Sequence, residues 1–449
     1  MPTPKTRSLR AKDKAYVWHP FTQMRDWQAD PEPLVISRGQ GSTLFDSDGK
    51  PYLDGVSSLW VTVHGHGHPR LNAALAAQAA KLDHSTLLGL ANEPSIQLAE
   101  ALIQAAPKGL AKVFYSDSGS TAMEIALKMA FQYWANQGGA AAKKQAFITL
   151  SGAYHGDTIG SVSLGGIDLF HQVYKPLLFK THQVRTPYGN GDLAESTRAL
   201  ADMAALLKGH KGKIAGIVVE PLMQGAAGML AAPLGFLRGV RKLCDQHDVL
   251  LIADEVATGF GRTGTLFACQ QEGVTPDLMA IAKGLTGGML PLAATLATER
   301  VYKGFLFPYA AQKTFFHGHT YTGNPLACAV ALESLKLFKT ERTLEKLRPK
   351  ILALDAKFPR LLERPSVGEI RQVGLMVGIE LMLDKAKRTP YPYEAAIGAK
   401  VCRRARDYGV ILRPLGPVIV LMPPLCISLT ELDFLVRTVE ASIRDVTEA

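Results

Sequence analysis

The stretch L-L-I-A-D-E-V-A-T-G-F-G-R-T-G, from Leu250 to Gly264, and the later A-K-G-L-T-G-G, from Ala282 to Gly288, decide how this chain folds. Each is built on an apolar run, Val249–Ala253 and Leu278–Ala282, with no polar alternation. Such runs are strands buried on both faces. Asp254 follows the first run and Lys283 the second, and glycines come next. Four more runs read the same way: Lys112–Tyr115, Ala146–Leu150, Gly216–Glu220 and Ala293–Ala297. Amphipathic helices lie between them. One spans Ala122 to Trp134, with Met123, Ala126, Leu127, Ala130, Phe131 and Trp134 on one face, and Thr121 with Glu124 reads as its capping box. Another spans Leu234 to His247. This alternation predicts an α/β fold with right-handed crossovers and a mostly parallel sheet. Ligands of such sheets bind beyond the carboxyl ends of the strands, where Asp254 and Lys283 both fall.

Outward from this centre the pattern changes. Residues 1–75 are aromatic and Gly-rich, with a strand at Thr43–Phe45, and a helix begins near Leu71. Beyond Phe338 comes a charged helical stretch, Glu341 to Arg364, then strand-like pieces at Leu375–Leu383 and Val418–Met422. The expected division is an N-terminal segment (1–75), a large domain (76–337) and a smaller α+β domain (338–449). Charged residues make up 20% of the chain and hydrophobic ones 47%, which excludes a disordered chain. The cysteines are dispersed with no C-x-x-C pair, which points to a reducing compartment and away from a zinc ribbon. The formal charge of +10 fits a nucleic-acid binder or an enzyme of anionic substrates. The one dense basic cluster, Lys5 to Lys14, has no interleaved aromatics, so no nucleic-acid partner is expected. That N-terminus lacks an apolar signal core and reads as a frayed, solvated tail. No run approaches the ~20 apolar residues of a membrane span. No membrane partner and a cytoplasmic location are therefore expected.

A lysine amine and a buried carboxylate are the two groups that pyridoxal 5′-phosphate chemistry needs most: one condenses with the aldehyde, the other holds the ring nitrogen protonated. Ser116-Asp117-Ser118-Gly119-Ser120, at a strand-to-helix junction, reads as either an ordinary N-cap or an anion cup. Tyr154 can stack on a cofactor ring, whereas His155 and Asp157 are either functional or a structural pair. Glu220 ends its strand either beside the cofactor or in a structural hydrogen bond. His64, His66 and His68 could share one face and hold a metal, but no acidic or cysteine ligand accompanies them, so a Gly-rich loop is expected and no metal. His317-Gly318-His319-Thr320 reads likewise, with the Gly and the Thr hydroxyl suiting a second phosphate contact. Arg413 is either a surface ion-pair partner or the reader of a substrate carboxylate.

Together these pieces resemble the class III aminotransferases, pyridoxal phosphate enzymes of fold type I, the aspartate aminotransferase-like fold. The D-E-V-A-T-G-F-G-R-T-G run followed by A-K-G is the most specific motif of that class. W-H-P-F-T-Q-M (Trp18–Met24), S-S-L-W-V-T-V-H-G (Ser57–Gly65), A-L-K-M-A-F-Q-Y-W (Ala126–Trp134), Y-H-G-D-T-I-G (Tyr154–Gly160), H-G-H-T-Y-T-G-N-P-L-A-C (His317–Cys328) and R-P-L-G…L-M-P-P (Arg413–Pro424) are similar to the branch that aminates 8-amino-7-oxononanoate in biotin synthesis. The likeness covers nearly the whole chain. It implies that Lys283 joins the cofactor covalently and is the catalytic residue, while Asp254 pairs with the pyridine nitrogen. Gly119 and Ser120 hold the phosphate, helped by His319 and Thr320 from a second subunit, with Glu220 also near the cofactor. Tyr154 stacks on the ring and touches substrate. Phe21, Leu59, Trp60 and Gly318 line the substrate site, and Arg413 binds a carboxylate. The implied partners are two small-molecule substrates, 8-amino-7-oxononanoate and an amino donor, and a second copy in a homodimer with shared sites.

The chain departs from the branch at three positions. Members that take their amino group from S-adenosylmethionine carry Tyr, Trp and Tyr where this chain has Phe21, Leu59 and Val420. A less polar donor pocket is therefore expected. A lysine-using branch is resembled at Phe21 and in H-S-T-L-L-G (His84–Gly89). S-adenosylmethionine is the expected donor, as in most of the family, with lysine the alternative. Other ω-aminotransferase reactions, on ornithine, 4-aminobutyrate or β-alanine, stand further off, as does a non-catalytic regulatory role.

Overall fold

The computed structural model describes residues 1–30, 32–188 and 192–448. Its centre is a seven-stranded sheet of β1 (Leu110–Ser116), β2 (Ala146–Leu150), β3 (His182–Val184), β4 (Ile214–Val219), β5 (Leu250–Asp254), β6 (Leu278–Ile281) and β7 (Ala293–Thr298), in the order β1-β7-β6-β5-β4-β2-β3. β5 pairs in parallel with β4 and β6, and β2 in parallel with β3 and β4. β7 runs antiparallel to both its neighbours, so six strands share one direction. Every residue of β4, β5 and β6 is buried, which is why those segments read as unbroken apolar runs. All six strands expected from sequence form. The seventh, β3, is a short edge strand reading His-Gln-Val, too polar and too brief to stand out.

Helices cover the sheet. Residues Met123, Ala126, Leu127, Ala130 and Trp134 of α1 (Gly119–Gln137) pack on it with Phe147, Val218, Leu250 and Ile252. The cap of α1 differs from expectation: Ser118 and Thr121 form the capping box, and α1 starts three residues before Ala122. Glu124 reaches instead to α2 (Ile159–Leu164). α3 spans Phe236–His247 rather than Leu234–His247, because Gly235 at φ +96 breaks the helical path.

The N-terminus is not a frayed tail. Pro4–Tyr16 is a helix whose Thr3 cap and buried Thr6 both donate to Asp48. Those bonds lower the Asp48 carboxyl pKa to about 2. Near the C-terminus, Val367–Val373, Met376–Asp384, Val418–Leu421 and Arg413–Leu415 form an antiparallel sheet. The strand Val410–Ile411 pairs in parallel with Leu53 and Asp54, tying the two ends of the chain together.

Candidate active site

The carboxyl ends of β1, β2, β4, β5 and β6 gather at one edge of the sheet, and each delivers a group there. β1 leads into Gly119 and Ser120, β2 into Tyr154, and β4 ends one residue before Glu220. β5 ends on Asp254, and Lys283 follows β6. These residues line one cavity of about 770 Å³. Phe21, Leu59 and Trp60 from the N-terminal segment complete it, with Arg413 from the C-terminal sheet.

Asp254 is buried, and both its oxygens are engaged: Oδ1 accepts from the Val256 N–H (3.0 Å), and Oδ2 lies 2.7 Å from His155 Nδ1. Burial alone depresses the pKa of His155. The hydrogen bond and charge of Asp254, with Glu220 nearby, outweigh it, and the net shift is upward. The 2.7 Å contact fixes the orientation of the Asp254 carboxylate. The sequence offers His155 a functional role or a pairing with Asp157, and does not reveal Asp254 as its partner, because the two lie 99 positions apart. The other ring nitrogen of His155, and the indole nitrogen of buried Trp60, have no partner among the described residues.

Lys283 has a φ of +45, strained for a lysine, and its amine sits 4.8 Å over the Trp60 ring. Burial of that amine lowers its pKa, against the opposing pull of Asp254 and Glu220. Glu220 has the reverse shift: burial raises its carboxyl to about 7. Its two oxygens accept from the Tyr154 N–H (3.2 Å) and the Gly225 N–H (2.9 Å), so it binds two loops of the cavity wall. The Tyr154 hydroxyl donates to Asp157 Oδ2 at 2.8 Å, which places a carboxylate on the cavity wall.

Gly119 opens α1 because Val256 packs against it, and a Cβ there would lie 2.6 Å from Val256 Cγ1. Ser120 Oγ stands beside Thr158, another residue of the cavity. Arg413 is partly buried and makes no ion pair among the described residues. It is not the surface salt-bridge partner that was one of its two readings.

Other residues named from sequence lie elsewhere. Gly318, His319 and Thr320 do not line this chain's cavity. They sit in a stretch flanked by exposed Phe316 and Tyr321. Val420 is fully buried against Trp60, Met223 and Met422, behind the wall rather than on it. His64, His66 and His68 turn to three separate partners: Ser334, Asp54 and Glu341. Phe170, which sequence did not single out, enters the cavity edge-on to Phe21, with ring centroids 5.5 Å apart.

The chain resembles known proteins over nearly its whole length. A family profile, Aminotransferase class-III, matches residues 25–443. The chain belongs to the class-III aminotransferases. It is 53% identical over the full length of both chains to a protein of Geobacter sulfurreducens named adenosylmethionine-8-amino-7-oxononanoate aminotransferase. A protein of the same name from Aquifex aeolicus is 51% identical, with 98% of each chain covered. Among solved structures, the enzyme of that name from Methanocaldococcus jannaschii superposes with a TM-score of 0.94 at 43% identity, covering 98% of this chain and 99% of the other. The ω-transaminase of Pseudomonas jessenii in complex with PMP superposes at 0.93 with 32% identity, covering 98% of each. The chain is thus a transaminase of fold type I.

In this aminotransferase the run after β5 also holds the structure together. Glu255, beside Asp254, is fully buried and accepts from Thr258, Ala268 and Cys269. Arg262 is also buried and donates to the carbonyls of Pro423 (2.6 Å) and Thr62 (2.8 Å), stitching the loop after β5 to both ends of the chain.

Proposed function

We propose that this transaminase carries an amino group from S-adenosylmethionine to 8-amino-7-oxononanoate, giving 7,8-diaminononanoate, with pyridoxal 5′-phosphate as cofactor. The observation that carries the reading is the guanidinium of Arg413, without an ion-pair partner among the described residues, on the wall of a largely apolar cavity that also holds Lys283 and Asp254. A long-chain keto acid needs that combination: a cation for its carboxylate and apolar walls for its methylenes. The names of the Geobacter, Aquifex and Methanocaldococcus relatives support the same reaction.

The residues fit the cofactor. Gly119 and Ser120 open α1 on the wall of the cavity, where the first N–H groups of that helix suit an anion. His155 and Trp60, whose ring nitrogens have no partner among the described residues, line the same cavity. Lys283 would hold the aldehyde carbon, Asp254 the pyridine nitrogen, Gly119 and Ser120 the phosphate, and Tyr154 one ring face. When bound, the cofactor supplies an electron-withdrawing ring that acidifies the amine-bearing carbon of the substrate.

The protein's own groups do the rest. The Lys283 amine, its pKa lowered by burial, takes and returns a proton at Nζ. Arg413 fixes the acceptor's carboxylate. Asp157 meets the ammonium beside its ketone. Phe21, Leu59 and Trp60 exclude water along the chain. Donor and acceptor use one cavity in turn, so kinetics are ping-pong.

Gly318, His319 and Thr320 are proposed to serve the cavity of a second copy in a homodimer. Exposed Leu88, Leu90, Phe316 and Tyr321 supply apolar surface for that contact. One observation favours lysine as donor instead. Phe21 and Leu59 give the cavity neither a hydroxyl nor an indole where S-adenosylmethionine users have both. The deciding experiment supplies the purified protein and cofactor with 8-amino-7-oxononanoate and either donor. Diamine formed with S-adenosylmethionine supports the reading. Diamine from lysine alone reassigns the donor, and no diamine from either refutes the function.

A further inference from the structure

α2 does not cap itself. Its N-cap residue, Thr158, makes no side-chain bond to its own helix, and the Thr158 hydroxyl lies 2.8 Å from Ser120 Oγ instead. Three N–H groups at the start of α2 are satisfied by α1. Thr158 donates its N–H to Ser120 Oγ at 3.0 Å. Gly160 and Ser161 both donate to Glu124 Oε1, at 2.7 and 3.2 Å. The Ser161 hydroxyl donates to the Ser120 carbonyl at 3.0 Å. Without these acceptors the start of α2 would leave backbone donors unpaired. The two helices approach so closely that a Cβ on Gly156 would collide with Ser120 Oγ, and one on Gly160 with Glu124 Oε2. Asp157 and Thr158 stand between those glycines, so α1 dictates where the Asp157 carboxylate sits. The same α1 begins at Gly119 and Ser120, the phosphate cradle.

We propose that Glu124 is a positioning residue that locks the Tyr154–Ser161 loop to the phosphate cradle, so that cofactor affinity and recognition of the acceptor's amine are set by one device. The substrate half rests on the role given to Asp157 above. The cofactor half rests on the phosphate role proposed for Gly119 and Ser120. Glu124 touches neither ligand. It acts through Ser161, Gly160 and the turn they hold.

The test compares E124A, E124Q and E124D in the full-length protein. Pyridoxal phosphate is titrated into cofactor-free protein by absorbance, and the KM for 8-amino-7-oxononanoate and kcat are measured on the loaded enzyme. E124A is expected to weaken cofactor binding about 10-fold and raise that KM about 10-fold, because two backbone donors lose a charged acceptor. Its kcat is expected to stay within about 3-fold of wild type, since Glu124 does not touch the reacting atoms. E124Q, whose amide oxygen accepts both bonds, is expected within about 2-fold of wild type in both readouts. Cofactor binding by E124A within about 2-fold of wild type, equal impairment of E124A and E124Q, or a loss confined to kcat would each overturn the proposal. If E124A does not fold, E124D decides: its carboxylate is withdrawn by one methylene and should weaken cofactor binding where E124Q does not. A wild-type protein that binds pyridoxal phosphate but ignores 8-amino-7-oxononanoate refutes the function while the cofactor titration still judges Glu124.

Discussion

Replacing Arg413 by alanine isolates the carboxylate-binding step. Arg413 opens a strand whose backbone pairs with Val418–Leu421, lying opposite Val420, and that pairing does not involve its side chain. The guanidinium has no ion-pair partner among the described residues, so its removal strands no buried countercharge. The loss is then the substrate contact alone. A charge-assisted bidentate bond is worth about 1.5–3 kcal/mol. Arg413 is only partly buried, so solvent screening places its contribution at the lower end, about 1.5–2 kcal/mol. At 1.4 kcal/mol per decade, the KM for 8-amino-7-oxononanoate should rise roughly 10- to 30-fold. kcat should change little, because the carboxylate is far from the reacting carbon and bound alike in ground and transition states. Arg413→Lys keeps the charge but not the fork and should recover part of the loss. Steady-state kinetics with the acceptor varied at saturating donor measure both constants, with a thermal melt as control. An unchanged acceptor KM, or a Tm lowered by more than roughly 4 °C, would refute the assignment.

Three further outcomes are expected. Lys283→Ala should abolish turnover and the visible absorbance of the loaded protein while leaving its fold intact; a variant still yellow and active would place the covalent lysine elsewhere. Glu220 should make the cofactor-free protein lose stability as pH rises. Its folded pKa, about 7, lies above the ordinary 4.5, so between those values the native state holds a proton that the unfolded state has released. The Tm should fall across that window and level off above it, and Glu220→Gln should flatten the slope. Gly156→Ala combines a φ of +116° with a collision against Ser120 Oγ and should lower the Tm by roughly 4 °C or more and weaken cofactor binding.

Much of the centre of this protein is legible in its sequence. The six strands could be read because strands buried on both faces must be apolar throughout, a local and continuous signal. Asp254 and Lys283 could be read because each interrupts such a run at the end where ligands bind. Other elements carried too weak a signal. β3 is short and polar, and the N-terminal helix depends on a Thr3–Asp48 contact that no local pattern announces. Thr121 with Glu124 matched a capping pattern, yet Ser118 outcompeted it and freed Glu124 for another helix.

The sequence by itself determined the strand-forming segments, the edge where they present polar groups, and the chemical types of those groups, because periodicity and burial act over a few neighbouring residues. Only the tertiary structure decided which groups meet. His155 finds Asp254 across 99 positions, Glu124 reaches Gly160 across 36, and Arg413 arrives at the cavity from near the other end of the chain. Val420 shows the same limit from the other side: a position expected at the pocket packs behind Trp60 instead. Hydrogen-bond partners at such separations are chosen by how helices and loops pack on the sheet, and that choice leaves no periodic trace in the chain.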